Sequence, residues 1–188
     1  MRIITGTAKG RRLFTPKSHL IRPAADKVKG STFNILGSIE GLDVLDLFAG
    51  TGSVGLEAAS RGAKNIVLVD SLPEALKLLE KNKTACEFGG HVVIWKGTLP
   101  HCLASISKKH PRFDLVFIDP PYDKGLIFPA LEGVLRNKLV DAQSLVIIEH
   151  SPREIPEHPG FKQTDHRKYG QTWVTYLQTK DINEKSTV

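Results

Sequence analysis

The sequence predicts an α/β protein built on a mostly parallel, doubly wound sheet, and three observations lead there. From Leu42 onward, short apolar runs alternate with amphipathic stretches, the pattern of strand–helix–strand units. The first of those runs leads into Gly50-Thr51-Gly52-Ser53-Val54-Gly55, a glycine loop between a strand and a helix. The last two runs, residues 161–168 and 172–178, are separated only by Tyr169-Gly170-Gln171, so they form a hairpin and not a crossover. Five alternating strands and a closing antiparallel hairpin make a seven-stranded sheet.

The elements follow in order. Residues 2–5 and 12–14 flank Gly6 and Gly10 and read as a small basic hairpin. Residues 17–25 are loop. Asp26 is placed to cap a helix whose Val28, Thr32, Ile35 and Leu36 share one face. Gly30 inside that helix costs about 1 kcal/mol relative to alanine, so packing must hold it. Strand 42–48 precedes the glycine loop and a helix ending near Gly62. Strand 65–70 meets Ser71 and Glu74, spaced as a capping box with Pro73 in the first turn. The helix beyond it is expected to bury Leu72, Ala75, Leu76 and Leu79. Strand 91–95, a helix over 99–108, strand 113–118, a helix over 126–136 and strand 144–149 complete the alternation. The expected organisation is a basic N-terminal extension (1–40), a catalytic domain (41–179) and a flexible polar tail (180–188).

Composition excludes several classes. At 188 residues, with 40% hydrophobic and 24% charged residues, the chain is an ordinary globular protein with enough length for a sizeable core. No apolar run reaches membrane-spanning length, and the basic start has no secretion-signal core. Cys86 and Cys102 form no paired motif, and the histidines lack ligand spacing, so neither disulfides nor a metal is expected. A cytoplasmic protein follows, and nothing demands more than a monomer. The net charge of +6 is not spread evenly: residues 1–30 hold eight Lys and Arg against Asp26 alone. That arm carries the whole surplus, the usual footprint of a polyanionic partner.

Asp119-Pro120-Pro121-Tyr122 follows the buried-looking run 113–118. A strand of that kind delivers its terminal carboxylate to the edge of the sheet where open α/β folds bind ligands. The prolines fix φ and lack N–H groups, so the chain leaves in a stiff turn that bares carbonyls and presents Tyr122 as a flat platform. An acid, a carbonyl and an aromatic face suit a planar amine such as that of a nucleobase. The glycine loop alone is ambiguous. It would cradle a pyrophosphate at a helix N-terminus or let an adenosyl group lie against bare backbone. Asp70, at the end of the next strand, suits ribose hydroxyls under both readings. Asp46 sets negative charge beside the loop, which favours the cationic S-adenosylmethionine over NAD.

Asp46-Leu-Phe-Ala-Gly-Thr-Gly, Asp70 and Asp119-Pro-Pro-Tyr122, in this order, resemble the amino-group methyltransferases, whose Rossmann-like class I methyltransferase sheet also ends in an antiparallel strand pair. Arg2-Ile-Ile-Thr-Gly, Lys9-Gly-Arg-Arg-Leu13, Arg22-Pro23, Asp26-Lys-Val-Lys29 and Phe33-Asn-Ile-Leu36 narrow the resemblance to the bacterial RsmD family, over roughly residues 1–178. That resemblance implies methylation of a guanine N2 in 16S ribosomal RNA, free or in a small-subunit assembly particle. It places Asp119, Pro120, Pro121 and Tyr122 in catalysis, and Asp46, Phe48, Gly50, Gly52, Asp70, Ser71, Gly97 and Thr98 at the S-adenosylmethionine. Arg2, Lys9, Arg11, Arg12, Arg22, Lys27 and Lys29 become the candidate RNA contacts. Two positions depart from the family pattern: Gly30 stands for a glutamate, and Gly97-Thr98 for an aspartate that reads the adenine amine. A backbone carbonyl or the Thr98 hydroxyl would then take over that contact. The alternatives are the same chemistry on DNA adenine or cytosine or a protein glutamine, a nicotinamide-dependent oxidoreductase, and a non-catalytic RNA-binding protein.

Overall fold

The computed structural model describes residues 1–16 and 23–180. Helices α1 (Pro23–Leu36), α2 (Ser53–Ser60), α3 (Pro73–Ala85), α4 (Leu103–Ser107) and α5 (Ile127–Arg136) interleave with strands β1 (Asp43–Leu47), β2 (Asn65–Asp70), β3 (Val92–Lys96), β4 (Leu115–Ile118) and β5 (Leu145–His150). Strands β6 (Phe161–Tyr169) and β7 (Thr172–Thr179) are the last elements among the described residues. The seven strands run in the order β3-β2-β1-β4-β5-β7-β6. The expected fold class is the observed one.

The chain divides into two compact units, Met1–Thr98 and Leu99–Val188, so residues 1–40 belong to the same unit as the first three strands. In the first unit β1 and β2 pair in parallel, with Asp46 opposite Leu68, and β2 and β3 likewise, with Asp70 opposite Lys96. Val44, Leu45, Leu47 and the four residues 66–69 are buried, as continuous apolar runs in a parallel sheet covered on both faces must be. In the second unit β4 pairs in parallel with β5, while β7 runs antiparallel to both β5 and β6. Helix α5 buries Ile127, Ala130, Leu131 and Val134 at helical spacing. A Cβ added at its Gly133 would lie 2.7 Å from Leu103 and 2.8 Å from Pro100, which explains a glycine inside a helix. Strand β6 is the sheet's edge, and its exposed Lys162, Arg167 and Lys168 suit a strand that must not pair with another chain.

Several local expectations need correction. The N-terminal hairpin is shorter than expected: one antiparallel bridge, Arg2 with Arg12, is flanked by backbone bonds from Ile3 to Arg11 and Leu13 to Met1, and the amides of Ile4 and Thr5 turn to the Glu57 carboxylate. Helix α1 begins at Pro23, the favoured first position for proline, so Asp26 lies within its first turn. Val28, Thr32 and Phe33 face inward on α1, but Ile35 does not. The Ser71–Glu74 capping box is not made: Leu72 is the N-cap, without a side-chain cap, and it stands 63% exposed. Its amide donates to Asp70 Oδ1 at 2.9 Å. Helix α4 starts four residues later than expected, at Leu103, because residues 99–102 form a turn whose Pro100 carbonyl accepts the Leu103 N–H at 3.1 Å.

Candidate active site

In the first unit the glycine loop, the expected methyl-donor loop, is held by hydrogen bonds from its own backbone. Gly50 N–H donates to Asp70 Oδ2 at 2.9 Å, and Ala49 N–H to the Val69 carbonyl at 3.0 Å. Gly52 N–H donates to the Ala49 carbonyl at 2.7 Å, closing the turn, and Leu56 N–H to the Gly52 carbonyl starts α2. Phe48 takes a left-handed φ of 62°, unusual for a residue with a bulky side chain. The glycines serve different ends. A Cβ at Gly52 would come within 2.8 Å of Leu79, and one at Gly55 within 2.1 Å of Leu68, so both permit close packing. A Cβ at Gly50 would meet nothing nearer than the Phe48 carbonyl at 3.8 Å, so this glycine leaves open space over the loop.

That open face fits an adenosyl group. Asp70 uses each carboxylate oxygen once, on Gly50 and Leu72, and each oxygen keeps acceptor capacity for a ribose hydroxyl. Gly97 N–H donates to the Asp70 carbonyl at 3.0 Å, which sets the start of the Gly97-Thr98 turn. Ser71 and Thr98 are exposed beside these residues in the chain.

Asp46 plays a more internal part than its sequence position suggested. It is 2% exposed, and its Oδ2 accepts the Gly55 N–H at 2.9 Å, tying β1 to the first turn of α2. Burial pushes its carboxyl up to about 7, with the Asp70 charge adding and the Gly55 hydrogen bond opposing. Near neutral pH it is therefore only partly ionised, and repulsion of a pyrophosphate is a weaker argument than the sequence alone made it.

In the second unit the four residues of β4 are buried and the strand ends on an exposed Asp119. Pro120 is buried, Pro121 exposed and Tyr122 half-buried. Tyr122 Oη donates to Glu149 Oε1 at 3.1 Å and lies 3.2 Å from Thr172 Oγ1, so the ring is anchored at its far end. Burial raises the phenol's pKa well above its usual value, and the charges of Glu149 and Asp119 raise it further, so it stays protonated. Glu154 accepts the amides of Asp123 at 2.8 Å and Gly125 at 3.3 Å, which fixes the turn that follows the tetrapeptide. The sequence does not reveal Glu149, Thr172 or Glu154 in these roles, because single polar residues far apart in the chain carry no spacing signal. His150 is buried, with Nδ1 2.9 Å from the Ser151 carbonyl and Nε2 2.8 Å from Thr175 Oγ1. This is local hydrogen bonding, and burial lowers its pKa.

The basic arm is only partly available to a partner. Arg2, Lys9, Arg12 and Lys27 are exposed, and Arg11 is exposed but paired with Glu87 at 2.8 Å. Arg22 lies outside the described residues. Lys29 is a correction: it is 5% exposed, and its Nζ donates to the carbonyls of Arg2 at 2.8 Å and Ser53 at 3.3 Å. It also sits 3.5 Å from the fully buried Glu57, while desolvation lowers its pKa. A cation so enclosed holds the arm to α2 and cannot meet a phosphate at the surface. Glu57 completes that knot by accepting Ile4 and Thr5 amides and pairing with Arg61 at 2.8 Å.

Solved structures share the whole architecture. A hypothetical protein of Thermus thermophilus is 31% identical with a TM-score of 0.78, covering 95% of this chain and 99% of its own. The putative methyltransferase yhhF of Escherichia coli is 27% identical with a TM-score of 0.81, covering 95% and 97%. The fold and its motifs therefore define a class I methyltransferase. The family described as conserved hypothetical protein 95 matches residues 1–178, and the chain belongs to it, the RsmD family of the sequence resemblance. Among curated relatives, the putative rRNA methyltransferase YlbH of Bacillus subtilis is 33% identical over 96% of this chain and 100% of its own length. Ribosomal RNA small subunit methyltransferase D of Escherichia coli is 31% identical over 79% of this chain and 74% of its own.

Proposed function

We propose that this protein methylates ribosomal RNA, and specifically that it transfers a methyl group from S-adenosylmethionine to the exocyclic N2 of a guanine in 16S rRNA. The observation that carries the reading is Asp119-Pro120-Pro121-Tyr122 at the end of buried β4, with the Tyr122 ring anchored by Glu149 and Thr172. Names of the relatives supply the RNA class, and the exposed cations of the arm are consistent with it.

Bound S-adenosylmethionine supplies an electrophilic methyl group. Asp70 would hold its ribose hydroxyls, the open face over Gly50 its adenosyl group, and the Gly97-Thr98 turn its base. Guanine N2 is a poor nucleophile because its lone pair is delocalised into the ring. Asp119 and the Pro120 carbonyl would accept hydrogen bonds from the NH2 group, orienting the amine and favouring a pyramidal nitrogen as the N–C bond forms at the expense of the sulfonium's S–CH3 bond. Asp119 need not be a strong base, since the N2 proton becomes acidic only once nitrogen is methylated. Tyr122 would stack on a base taken out of its helix or loop, a contact worth about 1–3 kcal/mol. Positioning and matched electrostatics supply most of the rate in such a site.

The test is methyl transfer to 16S rRNA, free and in small-subunit particles, against duplex DNA, followed by mass spectrometry of the modified nucleoside. N2-methylguanosine is the expected product. N6-methyladenine, N4-methylcytosine or a methylated protein would overturn the assignment.

A further inference from the structure

Asn82 is a fully buried polar side chain on α3, and both of its amide protons are used, one in each of two directions. Its Oδ1 accepts the Phe14 N–H at 2.7 Å and its Nδ2 donates to the Phe14 carbonyl at 3.0 Å, an amide-to-backbone pair as in a sheet ladder. The same Nδ2 donates its second proton to the Thr51 carbonyl at 2.8 Å. Phe14 lies in the basic arm, two residues beyond Arg12. Thr51 lies in the donor loop, between Gly50 and Gly52. One side chain thus satisfies backbone groups of the RNA arm and of the cofactor loop together. Two neighbours of Asn82 on α3 reinforce the junction: Leu79 packs where a Gly52 Cβ would stand, and Lys81 Nζ sits 3.6 Å over the Phe14 ring.

We propose that Asn82 is a positioning residue that couples cofactor binding to RNA binding. The inference rests on the reading of the arm as an RNA contact. The amide reaches both partners only when the loop and the arm are in place at once. A shift of either backbone strands a buried donor or acceptor, which is the costly state for a polar group. A ligand that fixes the Thr51 carbonyl therefore favours the arm geometry at Phe14, and an RNA that fixes Phe14 favours the loop. By linkage the effect is reciprocal. Asn82 touches neither substrate nor cofactor under this proposal.

Two measurements decide it. Hydrogen exchange of the intact protein is followed at the Phe14 amide with and without S-adenosylhomocysteine, in the absence of RNA. Slower exchange on ligand addition is expected in the natural chain and not in Asn82→Ala or in Asn82→Asp, which keeps the acceptor but loses both donors. In parallel, the S-adenosylhomocysteine Kd is titrated with and without 16S rRNA. The natural chain should show at least about five-fold tightening by RNA, within the range of ordinary coupling energies, and the variants a ratio near one. A Phe14 amide indifferent to the ligand in the natural chain overturns the coupling, whether or not the variants fold. An unchanged ratio in folded variants overturns it too. If the ligand slows Phe14 exchange but RNA is neither bound nor methylated, the functional reading fails, and the coupling of the two binding events fails with it.

Discussion

Asp46 is buried, its Oδ2 is committed to the Gly55 amide, and its carboxyl is pushed up to about 7 from an ordinary value of 3.8. Because the folded value is the higher one, the native state binds more protons than the unfolded chain between those two pH values. The stabilising contribution is fully present below the unfolded pKa and is lost as pH rises through the folded one. At about 1.4 kcal/mol per unit of pKa, up to ~4 kcal/mol is at stake. Asp46→Asn keeps an acceptor for Gly55 and removes the titration, so the fall in stability across that window should flatten. Urea midpoints at the two ends of the window check this; an undiminished fall would show that another group is responsible. Asp119 has the opposite character: it stands exposed at a strand end. Asp119→Ala should abolish turnover while S-adenosylhomocysteine affinity stays within a few-fold, measured by single-turnover assay and calorimetry. Retained activity would move the chemistry elsewhere.

The donor loop separates two uses of glycine within three residues. Gly52 has a φ of 78° and faces Leu79 at 2.8 Å from a would-be Cβ, so Gly52→Ala combines backbone strain with a clash. A destabilisation of about 1–3 kcal/mol is expected, read as a lowered melting temperature. Gly50 has a φ of 55° but open space around it. Gly50→Ala should cost only about 1 kcal/mol in stability and yet weaken S-adenosylmethionine binding by more than ten-fold. Equal destabilisation at the two positions would contradict the distinction. The buried Lys29–Glu57 pair is the corresponding device for the arm. Lys29→Met takes the donor from the Arg2 and Ser53 carbonyls and one of two cations from the buried Glu57, which keeps Arg61 and two backbone amides, so a loss of about 1–3 kcal/mol is expected, read as a lowered urea midpoint.

For the molecule as a whole, the arm is part of the first unit and not an appendage. Ile3, Ala8 and Leu13 are buried, and Ser60 donates its hydroxyl to the Thr5 carbonyl while accepting the Ala8 N–H. Deleting residues 1–24 would therefore open the core, and charge-neutralising substitutions are the cleaner test of RNA contact. Replacing Arg2, Lys9 and Arg12 by glutamine should weaken rRNA binding and reduce the slope of log affinity against log salt by roughly 0.7–0.9 for each phosphate left unneutralised. A slope unchanged in the triple variant would remove these cations from the interface.

Periodicity and punctuation make the strands, the helices and the closing hairpin legible, because burial of apolar faces at fixed spacing is a local property of the chain. Asp70 and Asp119 are legible for the same reason, since each terminates a buried strand and so reaches the sheet edge. Charge is legible only as a sum. Lys29 and Arg12 look alike in the arm, yet one is enclosed by Glu57 and two carbonyls while the other faces solvent. Asn82, in the polar run Lys81-Asn82-Lys83-Thr84, carries no motif or spacing signal, and it joins the backbones of Phe14 and Thr51. Tyr122 looks like a free platform and is pinned at its hydroxyl. The order of elements and the placement of acids and glycines at strand ends are thus written in the chain itself, because they follow from near neighbours. Which polar groups face solvent and which join distant backbones is settled only on folding, because desolvation depends on partners tens of residues away.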